Sequence, residues 1–551
     1  MLFRSFLLNR ILGIVGRLTT LAMVMLFTIS LVAQQPAPAP APAVFKKIDV
    51  ATIFDANTEA VLADKRLQSN IRRNVSFAKA QVYDVLRGGS GLSDNFVIAE
   101  GTPDENTITN QQLLSGWYQN YHFALMTQAG SMGDIDLQRL EFIKELTMIC
   151  TDNDIHSHVV DQIAIPQMTA FLQENYHPAV KYNAMLIIGQ LNSQVVITNE
   201  GRTVPAPLPA ALTFMVDAIK SGTETDAILL ASWIGVLRHV RLNRLNQQIA
   251  GSDVVTIAGE AMKLLNQTTP PANRSAGGQV WLQRRAIDVL AMIGQDDQKI
   301  LPKILSIMQD DKAAMSLRLT AARALKYFNY SPSTQVPVES TSNALGTLIV
   351  RICRNEIDRV DQEKALAALQ EASGVSVDEG DMGGMGGMGG MMGGMEGGTG
   401  GMEGDMGSMM GGMGGSTDVK SMLKPKEKRQ VDYTRRILVY QLFHVYEAIG
   451  EKQIRTTAPI GMYAAVVQDA AGQVALDRLG DAMTVLIDIL RIPEPDDLGK
   501  PVAEPNRDTL LESIAAEIRK LESFVIPVET PPETVTADAP AASVPGALPG
   551  S

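Results

Sequence analysis

The chain has 551 residues, of which 45% are hydrophobic and 20% charged, enough to build an extensive core and too much for one ordinary domain. Its formal net charge of -12 disfavours a general nucleic-acid binder. With two cysteines, Cys150 and Cys353, it has neither a disulfide framework nor a cysteine-based metal cluster.

Residues 1–33 read as an export signal. Arg4, Arg10 and Arg17 precede an uncharged run from Leu18 to Ala33, and small residues follow it. The run is short for a spanning helix, which needs about twenty apolar residues. An uncleaved anchor, with residues 11–33 as a membrane tether and Arg17 snorkelling, is the alternative. Removing the three arginines makes an exported form more acidic still. Residues 34–44 alternate proline and alanine and form a stiff extended linker.

Residues 45–130 form an N-terminal helical region. Ile71, Val75, Ala78, Val82 and Val85 lie at helical spacing until Gly88 and Gly89 stop them. A second helix, Gln111 to Met126, carries Trp117, Tyr121 and Leu125 at four-residue steps, with Tyr118 and His122 beside them. Such a cluster can floor a ligand pocket, but an aromatic stripe at this spacing reads first as core.

Residues 131–372 are a succession of short helices. Ile143, Leu146, Met148 and Cys150 fill one, and Val159 to Leu172 fills the next. The most informative stretch is Tyr176 to Asn192. One stripe collects Val180, Ala184, Ile187, Ile188 and Leu191; the opposite side collects Tyr182, Met185, Leu186 and Gly189, leaving Lys181, Asn183 and Gln190 as a polar seam. A helix apolar on two opposed sides belongs between two neighbours. Comparable helices run from Ala227 to His239, Trp281 to Gly294 and Leu317 to Phe328. Aligned on Ala184, Ala231, Ala286 and Ala321, they recur at steps of 47, 55 and 35 residues, with a loop insertion at Asn266 to Gln279.

The run His177-Pro178-Ala179-Val180-Lys181, then Ala184, Ile187-Ile188-Gly189 and Leu191, resembles the second helix of a HEAT-type repeat, with lysine in place of the usual arginine at 181. Leu317-Arg318, Ala321 and Ala324-Leu325 repeat the skeleton, with Lys326 where glycine is usual. The resemblance covers about residues 133–372. It implies an all-α fold, an α-solenoid of HEAT-like helix pairs that serves as a binding or scaffolding surface, and it implies no catalytic residues. Because solenoid repeats touch only their neighbours, Cys150 and Cys353 are expected to be buried free thiols.

Residues 373–418 form a flexible, disordered Met/Gly-rich insertion. Glycine raises the entropy cost of ordering, and isolated methionines cannot offset it with a core. The tract resembles the Gly-Gly-Met tail of bacterial chaperonins in composition. Met382, Met385, Met388 and Met391 place thioethers every third residue, a soft ligand set for Cu(I), against the plain reading of a linker that uses methionine. Residues 419–525 form a C-terminal helical cap. Its basic start, Lys420 to Arg436, reads as a solvated helix, and three helices follow at Tyr433 to Ile449, Leu476 to Leu490 and Asp508 to Val525. Residues 526–551 are a disordered Pro/Ala-rich tail.

Two constellations invite chemistry. Ser76-Phe77-Ala78-Lys79, Ser93-Asp94-Asn95 and Lys220-Ser221-Gly222 resemble the three short signatures of penicillin-binding proteins and β-lactamases. Their spacing is wrong for that family, because Ser76 lies inside a continuous helix and Asn95 follows too soon. Asp152, Asp154, His156 and His158 alternate as potential metal ligands, yet share a side only in an extended segment. The simpler reading is a turn whose Asp or Ser caps a helix beginning near Val159. No catalytic, cofactor-binding or metal residues are assigned, and no cofactor. The function expected is that of an exported (periplasmic or extracellular) non-catalytic scaffold binding a protein or cell-envelope partner, and not nucleic acid. An extracytoplasmic Cu(I)-binding protein using the Met-rich loop is the alternative, and an enzyme with its site in the N-terminal region the second alternative.

Overall fold

The computed structural model describes residues 44–51, 65–97, 107–198, 201–272, 274–294, 299–330, 336–372, 425–450, 459–467, 469–492 and 504–524. These are mostly helical, in agreement with an all-α class. The signal or anchor, most of the Pro/Ala linker, the Met/Gly-rich tract and the C-terminal tail lie outside the described residues. Among the described residues no helix is long and apolar enough to cross a membrane.

Residues 44–51 run extended, held by Lys46 N–H to the Asn175 carbonyl and Ala51 N–H to that of Asn120. Helix α1 (Lys65–Leu86) buries Ile71, Ala78, Val82 and Val85 as the spacing predicts, with Val75 half-buried. It stops where Gly88 takes a left-handed φ of 73°, a conformation that costs glycine little. A two-stranded hairpin, β1 (Asn95–Val97) and β2 (Thr107–Thr109), leads into α2 (Asn110–Trp117). Thr109 and Gln112 close a reciprocal capping box there.

The N-terminal helices depart from the sequence expectation in one repeated way. Three are widened by π turns: Tyr118–His122 between α2 and α3 (Phe123–Met126), Glu145–Ile149 after α4 (Ile135–Lys144), and His158–Ala164 between α5 (Asn153–Ser157) and α6 (Ile165–Gln173). Each adds a residue to a turn and shifts the stripe that follows. Of the residues expected to fill one helix, Leu146 and Cys150 are buried and Met148 is exposed. Cys150 itself sits beyond the helix in extended backbone.

From Pro178 the pattern becomes regular. Helix α7 (Pro178–Gln190) starts at a proline, with His177 Nδ1 accepting from Ala179 N–H at 3.2 Å as its cap. After the short strands β3 (Ile197–Thr198) and β4 (Gly201–Arg202) come α8 (Pro209–Ser221), α9 (Asp226–Asn246), α10 (Gly251–Asn266), α11 (Ala276–Ile293), α12 (Ile300–Gln309) and α13 (Met315–Ala324). The C-terminal part holds α14 (Val338–Ala372), α15 (Pro425–Ile449), α16 (Met462–Ala465), α17 (Ala470–Leu490) and α18 (Arg507–Glu522). Helix α9 runs past His239, where it was expected to end: Val240 is buried, and Arg244 and Asn246 donate to the Tyr327 and Pro205 carbonyls at 3.1 and 3.4 Å.

Helix α7 packs against α9, α9 against α11, α11 against α13, and α13 against α15; α6, α8, α10, α12 and α14 pack respectively on α7, α9, α11, α13 and α15. The four aligned alanines, Ala184, Ala231, Ala286 and Ala321, are all fully buried. At the α7–α9 crossing the backbones nearly touch. A Cβ on Gly189 would lie 2.8 Å from the Gly235 Cα, and one on Gly235 would lie 2.9 Å from the Gly189 Cα and 2.1 Å from the Met215 Sδ. Around these small residues, Ile187, Val236, Leu290 and Leu325 supply the apolar mass, each worth about 2 kcal/mol of transfer free energy on burial. Asn183 departs from the expected polar seam: it is buried, and its Nδ2 donates to the Ala179 carbonyl at 3.0 Å, satisfying itself within its own helix. Cys150 and Cys353 are free and buried.

Candidate functional site

The helices α7, α9, α11 and α13 carry eight Lys and Arg residues against two Asp, on a chain whose net charge is negative. Some of this charge is internal structure. Asp288 of α11 accepts from Arg323 Nη2 of α13 at 2.6 Å and from Arg285 Nη1 at 3.1 Å. Buried Arg318 donates Nε to the Met308 carbonyl at 2.9 Å and Nη1 to Asp311 at 3.0 Å, and Arg351 of α14 also pairs with Asp311. Arg238 has a different kind of partner: Nη2 donates to Asn192 Oδ1 at 2.5 Å and Nη1 to the Gly189 carbonyl at 3.4 Å. Burial pulls its pKa down to about 10, a guanidinium held by neutral oxygens at the end of α7.

Lys181 and Arg244 donate to the Leu172 and Tyr327 carbonyls, and Arg284 lies beside an aromatic face. Arg284 stacks over Trp281 at 4.7 Å and donates Nε to Thr320 Oγ1 at 3.1 Å. Arg284 and Arg323 lie close enough to His444 of α15 to push its imidazole pKa down, in the same direction as its burial, while its Nδ1 meets the Tyr440 carbonyl at 2.9 Å. Tyr440 presents its ring edge-on to His444 at 5.0 Å, and Phe443 stacks near Tyr446 at 6.3 Å. At the other end of the helix Arg359 of α14 lies over the Tyr433 ring at 5.2 Å. Helix α15 buries Val431, Leu438, Leu442 and Val445 on one side and exposes Tyr433, Arg436, Val439, Tyr440 and Phe443 on the other. It is apolar on both sides, like α7, but covered on only one.

The second concentration of polar groups is in the N-terminal region. Tyr118 is fully buried and its hydroxyl donates to Glu145 Oε2 at 3.0 Å, while Glu145 Oε1 has no hydrogen-bond partner. Burial raises the Glu145 carboxyl to about 7, and the charge of Glu141 pushes the same way against the Tyr118 hydrogen bond. Nearer the surface, Lys79 of α1 pairs with Glu141. Phe123, Phe142 and His122 pack around Tyr118 with ring centroids 5.3 to 6.2 Å away. This is the aromatic cluster expected from the spacing; Trp117, Tyr118 and His122 are core, and Tyr121 is half-buried.

The other sequence candidates are not brought together, and only Lys79 lies at either place. Asp152 caps α5, accepting from Asp154 N–H at 2.9 Å and Ile155 N–H at 3.0 Å, so the helix starts six residues before Val159. His156 is buried and His158 sits in the π turn; a helical backbone separates the alternating side chains. Among the described residues no group of three His, Cys, Asp or Glu is placed to hold a metal ion. Ser76 is exposed in mid α1, Lys79 is engaged by Glu141, and Lys220 ends α8. Sequence reasoning missed the α15 stripe and Glu145. The stripe had a signal, the spacing of Tyr433, Tyr440 and Phe443 opposite Leu438 and Leu442; Glu145 had only its three-residue step from Phe142, which a carboxylate masks because it is rarely buried.

Comparison of the chain with protein-family models, with curated proteins and with solved structures finds no match.

Proposed function

We propose that the protein is an exported, non-catalytic scaffold of the α-solenoid class, built from HEAT-like helix pairs, that binds a protein or cell-envelope partner along the helices that follow Pro178. The observation that carries this reading is the alignment of Ala184, Ala231, Ala286 and Ala321, all fully buried where successive second helices meet. Pairing of α6 with α7, α8 with α9, α10 with α11, and α12 with α13 supports it, because stacked repeats bury a continuous core that no single pair can build alone. Solenoids leave long faces open, and proteins of this architecture act through those faces. The basic signal-like start supports export, and the Pro/Ala linker would space the folded part from a membrane or cleavage site.

The test is capture from a cell-envelope fraction by the immobilised intact protein, with mass spectrometry of what is retained. A partner that binds saturably and elutes chemically unchanged is the expected result. Enrichment no greater than on an unrelated helical protein, or recovery of a processed partner, overturns the scaffold reading.

A further inference from the structure

We propose that the exposed stripe of α15, with Tyr440 and Phe443 at its centre and Arg284, Arg359 and Arg436 at its borders, is a docking surface for an acidic polypeptide segment that also carries apolar side chains. The inference rests on the scaffold reading and names the partner's chemistry.

A helix that is apolar on two opposed sides is normally sandwiched. Helix α7 is, between its neighbours, with Tyr182 largely covered and only Pro178 at its start exposed. In α15 the second side is open: Tyr433, Val439, Tyr440 and Phe443 are 46 to 56% exposed. Contiguous exposed aromatic and aliphatic surface, with arginine beside it, has the composition of binding hot spots rather than of ordinary surface. The rings are also held in place before anything binds. Tyr440 rests edge-on against His444, Phe443 against Tyr446, and Tyr433 under Arg359, so little rotamer freedom remains to be lost on association.

Charge selects the partner. The nearby carboxylates are engaged: Asp288 by Arg323 and Arg285, Glu447 by Lys326 at 2.8 Å, Asp432 by Arg435 at 3.8 Å, and Glu356 and Glu363 by Arg359 at 2.6 and 3.3 Å, so Arg359 contributes packing over Tyr433 rather than unpaired charge. Arg284 and Arg436 have no carboxylate partner among the described residues; Arg284 donates to Thr320 and Arg436 to the Asp432 carbonyl. This face is thus a cationic exception on an acidic chain, which steers an acidic segment to it and repels a basic one. A second copy docking face to face would set these arginines against each other across a two-fold axis. Single-stranded nucleic acid also uses aromatic and cationic residues, but along a continuous basic groove, and here Glu356, Glu363 and Asp432 interrupt the arginines.

The experiment is fluorescence anisotropy on the intact protein with three labelled probes of about twelve units: a peptide of mixed Glu and Leu, its Lys-for-Glu counterpart, and an oligo-dT. The expected result is binding of the Glu/Leu peptide alone, weakened about tenfold in the double variant Tyr440→Ala/Phe443→Ala and again in Arg436→Glu. All three replaced side chains are exposed, and an unchanged melting curve confirms the fold of each variant. Equal binding of the Lys peptide, tighter binding of oligo-dT, or unchanged affinity in the variants overturns the proposal. So does a dimer that the double variant abolishes, or an affinity gain of about tenfold on deleting Gly380 to Gly415, which would give the face to this chain's own acidic tract. Envelope capture that succeeds equally well with the double variant leaves the scaffold reading standing and removes this one.

Discussion

The region before Pro178 and the helices after it treat buried polar groups in opposite ways. Between α11 and α13, Asp288 is met by Arg323 and Arg285, and Arg318 by Asp311, so burial is matched by charge. In the N-terminal region Glu145 is buried with one oxygen on Tyr118 and the other unpartnered. The helices differ in the same sense. Those after Pro178 meet through alanine and glycine at regular positions, whereas those before it are widened three times by π turns. The helices after Pro178 place small residues where they meet and give buried charge a partner, carboxylates at Arg323 and Arg318 and neutral oxygens at Arg238; the N-terminal region leaves one oxygen of a buried acid without one. Such local departures are where stability is given up.

Four substitutions sharpen or break this comparison. Ala184→Asp places a carboxylate at a fully buried position with no cation to meet it and is expected to cost about 4 kcal/mol, seen as a lower urea midpoint. A variant as stable as the parent would mean that α7 is not enclosed.

Glu145→Gln acts in the other direction. The folded carboxyl sits at about 7 against an ordinary 4.5, so between those values the folded state holds a proton that the unfolded chain releases. Stability of the parent therefore falls as pH rises through that window, and the full penalty, about 3 kcal/mol, is present above it. Glutamine keeps the acceptor for Tyr118 and has no charge to bury, so the variant should be more stable than the parent near neutrality and above, with a flatter pH profile. Parallel melting-temperature profiles for the two proteins contradict the assignment.

Gly235→Ala forces its methyl against the Gly189 backbone and the Met215 sulfur; the sulfur can move and the backbone cannot, so about 2 kcal/mol is lost in chemical denaturation. An unchanged midpoint would show that α7 and α9 are not in backbone contact. Asn506→Ala removes the side-chain oxygen that accepts from Thr509 N–H at 2.8 Å at the start of α18 and should cost about 1 kcal/mol, a local loss at a helix end. A loss as large as that of Ala184→Asp would tie α18 to the stack more tightly than its capping role allows.

The helices after Pro178 were legible because their signal is local. Two-sided apolarity from Val180 to Leu191, a proline start and recurring alanines follow directly from packing between neighbours, and all appear in the structure as buried contacts. Cap chemistry was legible at Asp152 in kind but not in position, because the π turn lets one helical path run from Asn153 to Gln173. The N-terminal cluster was legible as core from the spacing of Trp117 and Tyr121. Its acid was not, since a carboxylate is rarely buried, although Glu145 follows buried Phe142 by three residues on the same helical face. The α15 stripe lay within sight: Tyr433, Tyr440 and Phe443 repeat the two-sided pattern that singled out α7. Reading that helix as a cap assumed that both sides were covered, and only the fold shows that one is not.

Hydrogen exchange of the parent and of Gly235→Ala tests most directly whether the helices after Pro178 stack as neighbours. Nearest-neighbour stacking predicts that protection falls most in α7 and α9, less in α11, and hardly at all in α17 and α18. An equal loss across all these helices, or one greatest in α17 and α18, would contradict a stack of helix pairs and with it the scaffold.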